Sequence, residues 1–534
     1  MKTLFLVLLF VGAVFAQNAP VDTIYNPVIP GFYPDPSVCR VGEDYYLVTS
    51  TFEYFPGVPV FHSKDLVHWR QIGHCLTREE QLPLKNARSS GGIFAPTMRY
   101  HEGTFYMITT SITGKGNFYV TATDPAGPWS NPIDVDQGGI DPSLFFDKDG
   151  TVYLTTNGGT PWQGRGIYQS EIDIKTGERL SDILKIWPGT GGRYPEAPHL
   201  YRINNWYYLM IAEGGTEYGH METIARSRSA WGPFESYSKN PILTHRNRGG
   251  HPIQGTGHAD LIQAHDGSWW MLFLAFRPIG GQFHQLGRET FLAPVSWNDD
   301  GWPVVNESGT LELKTPAKVL PAVTWPKKPV RDDFDSDSLD VVWNFVFNPN
   351  EKDWSLTERK DWLRLHGSAV TMYENQSPAF IGRRQQHFNF RAATQMDFQP
   401  QQDNEEAGLV LRMNNNHHYF IGVSRQHNER LIFIRYVVGR IVSTPFKKIV
   451  ADGPIKLVVS GTPAHYSFSY SVGGREPVTA DSVETRYLTS EVAGGFTGVY
   501  IGMYATGNGK PSTAPADFNW FDYKGYDKKG RSYR

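Results

Sequence analysis

A chain of 534 residues is longer than one hydrophobic core usually serves, so at least two domains are expected. Lys plus Arg 51 against Asp plus Glu 54 leaves a net charge of -3, without the basic excess of a nucleic-acid binder. Two cysteines, Cys39 and Cys75, exclude a disulfide-stapled scaffold and read as two buried thiols, with a single bridge between them as the alternative.

The chain opens on "MKTLFLVLLFVGAVFAQ": one Lys, an apolar run over residues 4–15 and a small residue, Ala16, ahead of Gln17. That is the pattern of a cleaved signal peptide over residues 1–16, so the mature protein is expected to be secreted and extracellular. The run falls short of the about 18 apolar residues a membrane span needs, and no later segment supplies one. No membrane partner is expected.

A unit then recurs through the next three hundred residues: a turn with Pro or His, an alternating strand, a Gly or Asn turn, and a second strand of aromatic and β-branched residues. Its copies are "DPSVCRVGEDYYLVTS" from Asp35, "APTMRYHEGTFYMITTS" from Ala95, "DPSLFFDKDGTVYLTTN" from Asp141, "APHLYRINNWYYLMIAE" from Ala197 and "HADLIQAHDGSWWMLFLAF" from His258. A spacing of roughly 45 to 60 residues fits propeller blades. Further short strands after each copy fill a blade of four, which predicts a five-bladed β-propeller over residues 17–325. From about Trp325 a charged, Pro-containing linker leads into strands such as "AGLVLRMN" and "PIKLVVSG". Their period of two predicts a β-sandwich over residues 330–534, for an all-β protein as a whole.

Radial repetition brings the same position of every blade to the central axis. Asp35 and Asp141 start their repeats, and Glu196 stands one residue before the equivalent Ala197. Separate blades would therefore aim three carboxylates into one pocket. Each carboxylate wants solvent and repels the others, so a fold that collects three needs a compensating reason. Hydrolysis of a glycosidic bond supplies one, since it needs a carboxylate base and a protonated carboxyl whose pKa values differ.

"YPDPS" at 33–37, "GIDPSLFFD" at 139–147, "RYPEAPHLY" at 193–201, "GHADLI" at 257–262 and "LGRETFLAPVSW" at 286–297 resemble glycoside hydrolase family 43. "TFEYFPGVPVFHSKDLVHW" resembles its β-xylosidase branch, and the likeness covers almost the whole chain, sandwich included. The resemblance implies Asp35 as general base, Glu196 as general acid and Asp141 as the carboxylate that raises and orients the acid, in a single displacement with inversion. It implies that Arg288 binds substrate hydroxyls and that Phe52 and Phe94 line the sugar subsite. Phe94 stands where Trp is usual among xylosidase-like relatives. His258 matches an axial histidine that in some members holds calcium through waters and in others orders water. A structural Ca2+ is thus the one candidate cofactor, and none is needed for the chemistry.

The expected substrate is a plant cell-wall polysaccharide or oligosaccharide, with terminal xylose released from xylo-oligosaccharides. The alternatives are α-L-arabinofuranosidase action on arabinoxylan, both activities together, or a sugar-binding protein without catalysis. A fructan- or sucrose-cleaving enzyme shares the architecture, but its "NDPNG" and "EC" motifs are absent.

Overall fold

The computed structural model describes residues 21–85, 87–158 and 164–527. The expected signal peptide lies outside them. Strand formation follows the alternation read above. Tight turns close the inner hairpins, as at Glu102 and Gly103, whose φ values of 46° and 85° give the twist that two-residue β-hairpins favour.

Five antiparallel sheets follow one another in chain order, with inner strands Ser37–Val41, Thr97–His101, Ile140–Phe146, Glu196–Ile203 and Gln254–Gln263. Each inner strand contacts the next, and the fifth contacts the first, which closes a β-propeller. At the seam, Thr23–Tyr25 pairs with Lys314–Pro316, joining the two ends of the ring. Asn26 adds a reciprocal pair of 2.9 Å hydrogen bonds with the backbone of Leu292.

A polar hub ties the blades on the axis. Asp260 of the fifth blade accepts from Ser37 Oγ at 2.7 Å, Val38 N at 3.0 Å, Arg99 Nη1 at 2.8 Å and Tyr201 Oη at 2.6 Å. Nδ1 of His199 lies 2.9 Å from Arg99 Nη2 and 3.0 Å from Ser143 Oγ, bringing in the third blade. Burial would raise the Asp260 carboxyl, but Arg99, His199 and Tyr201 together hold it far below the ordinary range. Cys39 and Cys75 are both buried and unbridged.

The second region stacks two antiparallel sheets. One runs in the order Ala379–Arg384, Tyr500–Thr506, Glu406–Asn414, His417–Gln426, Glu429–Val438, Ile441–Ile449. The other is centred on Pro515–Tyr526 and Asn389–Asp397. Their apolar faces form one continuous core with propeller residues that include Phe32, Phe52, Tyr54 and Val58. Among the described residues no helix is long and apolar enough to cross a membrane.

The two regions are also joined by charge. Glu53 and Arg412, both with side chains 0% exposed, pair at 3.3 Å, and Arg412 donates to Tyr54 Oη at 2.6 Å. Tyr54 stacks on Tyr500 with ring centroids 3.7 Å apart, and Arg384 Nε donates to the carbonyl of Phe32 at 2.7 Å. A buried ion pair gives little net stability, but breaking one strands a charge at a cost of about 3–5 kcal/mol. Arg412→Met is therefore expected to lower the unfolding free energy by that amount in chemical denaturation, and Glu53→Gln added to it to recover a large part. A double variant as unstable as the single one would show that Arg412 acts through packing rather than charge.

Candidate active site

Four of the five inner strands begin at or near a shared distortion. Asp35, Asp141, Ala197 and His258, which occupy the same repeat position, have φ of 56°, 53°, 51° and 50°. The sequence flanks Asp35 with Pro34 and Pro36, and a residue before proline normally takes extended backbone. Here it is left-handed instead, a strained state of about 1–3 kcal/mol that persists only where surrounding contacts impose it. Register shifts accompany it, between Ile140 and Ser143, Glu196 and His199, and Gln254 and Asp260. Each bulge breaks the alternation of the strand, so that residues at successive inner-strand ends reach the axis.

The contacts that hold Asp35 are charged. Its Oδ1 accepts from Arg288 Nη1 at 2.8 Å, its Oδ2 from the hydroxyl of Ser50, and His258 Nδ1 stands 3.6 Å from Oδ1. Burial alone would raise this carboxyl, but Arg288 foremost, then His258 and the hydroxyl of Ser50, outweigh it and hold Asp35 below its ordinary pKa. Asp141 accepts from the backbone N–H of Ala197 at 3.1 Å, which links it to the segment carrying Glu196. Burial, then Glu196 and Asp35, push Asp141 well above the carboxylate range. Glu196 is pushed up to about 7 by burial and by the charge on Asp35, against a smaller opposing effect of Arg288. The three carboxyls thus share one guanidinium, which sits on Asp35. Asp35 ionised beside a Glu196 that exchanges its proton near neutrality is the combination that acid–base cleavage of a glycoside requires.

The structure brings all the sequence-predicted carboxylates together and refines the other expectations. Arg288 was expected to face substrate hydroxyls; its Nη1 is committed to Asp35 and to Thr216 Oγ1 at 2.9 Å. Its Nε is buried with no hydrogen-bond partner among the described residues. Phe52, expected to line the subsite, is 2% exposed. It packs against Phe94 and Phe496, with centroids 5.2 Å and 5.6 Å from Phe52 and 6.1 Å between the two. Among the described residues no group of three or more His, Cys, Asp or Glu side chains could hold a metal ion. His258, matched to water-mediated calcium in some relatives and to ordered water in others, stands with Nδ1 3.6 Å from Asp35 Oδ1.

Several contributors carry no mark in the repeat. Phe496, 38% exposed, comes from the sandwich. Buried Glu213 accepts from the backbone of Thr190 and Gly192 and from the hydroxyls of Thr190 and Thr223, fixing the turn that delivers Glu196. His220 Nδ1 donates to the carbonyl of Gly255 at 3.1 Å, and burial pushes its pKa down to about 3, so it stays neutral beside Asp35. It leaves no room for a side chain at Gly257, where a Cβ would meet the ring at 2.7 Å.

Comparison with known proteins agrees with this geometry. The family described as "Glycosyl hydrolases family 43" matches residues 24–303, and the "Beta xylosidase C-terminal Concanavalin A-like domain" matches residues 331–524. A non-reducing end alpha-L-arabinofuranosidase of Bacteroides ovatus is 47% identical over 98% of this chain and 99% of its own length. A xylosidase/arabinosidase of Butyrivibrio fibrisolvens is 39% identical over 93% of this chain and 98% of its own. A solved structure described as "Bacteroides ovatus Xyloglucan PUL GH43B" superposes with a TM-score of 0.91 at 47% identity, covering 94% of this chain and 99% of that one. With matches that span both regions and most of the length of its relatives, the chain belongs to glycosyl hydrolases family 43.

Proposed function

We propose that this glycoside hydrolase removes single non-reducing-end pentosyl units from plant cell-wall oligosaccharides by one displacement at the sugar's anomeric carbon. The observation that carries the reading is the charge order on the axis: an ionised Asp35 fixed by Arg288, facing a Glu196 poised near 7. Asp35 takes a proton from water as the water oxygen bonds to the anomeric carbon. Glu196 gives its proton to the departing oxygen as the glycosidic bond breaks. Asp141 orients the acid through the amide of Ala197. Phe496 and Phe94 give the sugar a wall on the sandwich side, which favours a closed pocket and exo action.

The sequence reading put xylose first. The 47% identity to an enzyme named as an α-L-arabinofuranosidase, together with Phe94 where xylosidase-like relatives usually carry Trp, supports reading arabinofuranose ahead of it. Xylose is the second reading, favoured by the relative named as a xylosidase/arabinosidase. Export by the apolar leader in residues 1–16 completes the proposal, supported by its sequence pattern.

Chromogenic α-L-arabinofuranosides and β-D-xylosides should both report on the pure protein, the former with the larger kcat/KM; turnover of neither would overturn the assignment. Glu196→Gln should spare activated aryl glycosides, whose leaving groups need no proton, while losing those with poor leaving groups. Equal loss on both would remove Glu196 from the acid role.

The pH dependence follows with its sign. Glu196 works protonated, so kcat/KM should fall as pH rises through about 7, and that limb should vanish in Glu196→Gln. Asp35 works ionised and is held low, so activity should persist into the acid range. Arg288→Met should move the acid limb to higher pH; an unmoved limb would mean that Arg288 does not set the charge on Asp35.

A further inference from the structure

Three segments from different parts of the chain meet behind Arg288. The loop between Trp269–Phe276 and Glu289–Trp297 carries His284 and Arg288. The short helical turn Ser490–Ala493 of the sandwich carries Glu491 and runs on to Phe496. The turn after Trp206–Glu213 carries Thr216 and Tyr218.

His284 joins the first two through both of its donors. Its backbone N–H donates to Glu491 Oε2 at 3.0 Å, and its Nδ1 lies 2.6 Å from Glu491 Oε1. Burial would raise the Glu491 carboxyl, but the contacts with His284 hold it below its ordinary pKa. The imidazole stacks on Phe276 with centroids 4.1 Å apart, and Tyr218 meets Phe276 edge-on at 5.1 Å while donating to the carbonyl of Gln282 at 2.5 Å. Farther along, Val499 N donates to the carbonyl of Gln285 at 3.2 Å. Gly287 lies so close to Gly498 that a Cβ on it would stand 3.1 Å from the Gly498 Cα. The backbone that delivers Arg288 and the backbone that delivers Phe496 therefore lie directly against each other. The bidentate contact of His284 with Glu491 closes one end of that seam.

We propose that His284 and Glu491 are positioning residues: a clasp between propeller and sandwich that fixes Phe496 over the sugar site and holds the Arg288 loop in register. Neither side chain touches the carboxylates, so the clasp acts on sugar affinity more than on the chemical step. The bonds of Arg288 to Asp35 and Thr216 involve neither member of the clasp. The inference rests on the reading of Phe496 and Arg288 as walls of the sugar site.

Two variants separate donation from packing. His284→Phe keeps a ring on Phe276 but loses the side-chain donor, whereas His284→Asn keeps an N–H near the position of Nδ1. With the aryl glycoside that the wild type hydrolyses best, His284→Phe is expected to raise KM about tenfold while kcat changes less than about threefold, and His284→Asn to restore most of the affinity. Glu491→Ala should reproduce the His284→Phe pattern from the other side of the seam. Amide hydrogen exchange over residues 490–499 should accelerate in both and stay slow in His284→Asn, which reads the clasp without substrate. Unchanged KM and unchanged exchange in His284→Phe and Glu491→Ala would overturn the proposal, as would a loss confined to kcat. An inactive wild type would overturn the functional reading instead, while the exchange data would still decide whether the clasp holds.

Discussion

Three clustered carboxyls share one guanidinium, and the placement of that cation orders the site. Arg288 sits on Asp35, so Asp35 keeps its charge in a place where burial would otherwise neutralise it. Asp141 and Glu196 receive no such partner and feel the charge that Asp35 retains, so both are pushed up. In a dry site these effects reinforce one another, because every unpaired charge raises the cost of the next. On the proposed reading, base and acid are distinguished by which carboxyl the arginine reaches, since all three sit at or beside equivalent repeat positions.

The architecture exists to hold that unequal distribution. The axial hub built around Asp260 ties all the blades together two residues along the strands from the site, so displacement of one blade would disturb both. Left-handed backbone at Asp35, Asp141, Ala197 and His258 stores strain at one end of the ring. The sandwich is part of the same device. It supplies Phe496, seals the core around Phe32 and Tyr54, and lies along the loop that carries Arg288. A propeller without it would lose the ring that packs on Phe52 and Phe94 and the backbone that lies along the Arg288 loop.

How much of this was legible follows from where each signal resides. The blades were readable because each is a local unit repeated along the chain, and Asp35, Asp141 and Glu196 were readable because a period turns sequence position into spatial position. The sandwich strands showed in their two-residue alternation, but nothing in "VAGGFTG" indicates that Phe496 crosses to another domain's pocket. Glu213, Ser50, Thr216 and His220 escaped for a related reason: their roles are set by partners on other turns or other blades, and their neighbours in sequence are ordinary strand and loop residues. Pro34 and Pro36 restrict the backbone on either side of Asp35. The stiffness is there, but tertiary hydrogen bonds hold it in the left-handed region that local preference disfavours.

If Arg288 keeps Asp35 as a base acting on water rather than as a nucleophile on the sugar, the product must leave with its anomeric configuration inverted. Proton NMR of the first turnovers, recorded before mutarotation, measures this directly. An α-L-arabinofuranoside should yield the β-anomer first, and a β-D-xyloside the α-anomer. A first product of retained configuration would mean that a carboxylate attacks the sugar itself, and would contradict the charge assignment on which the account rests.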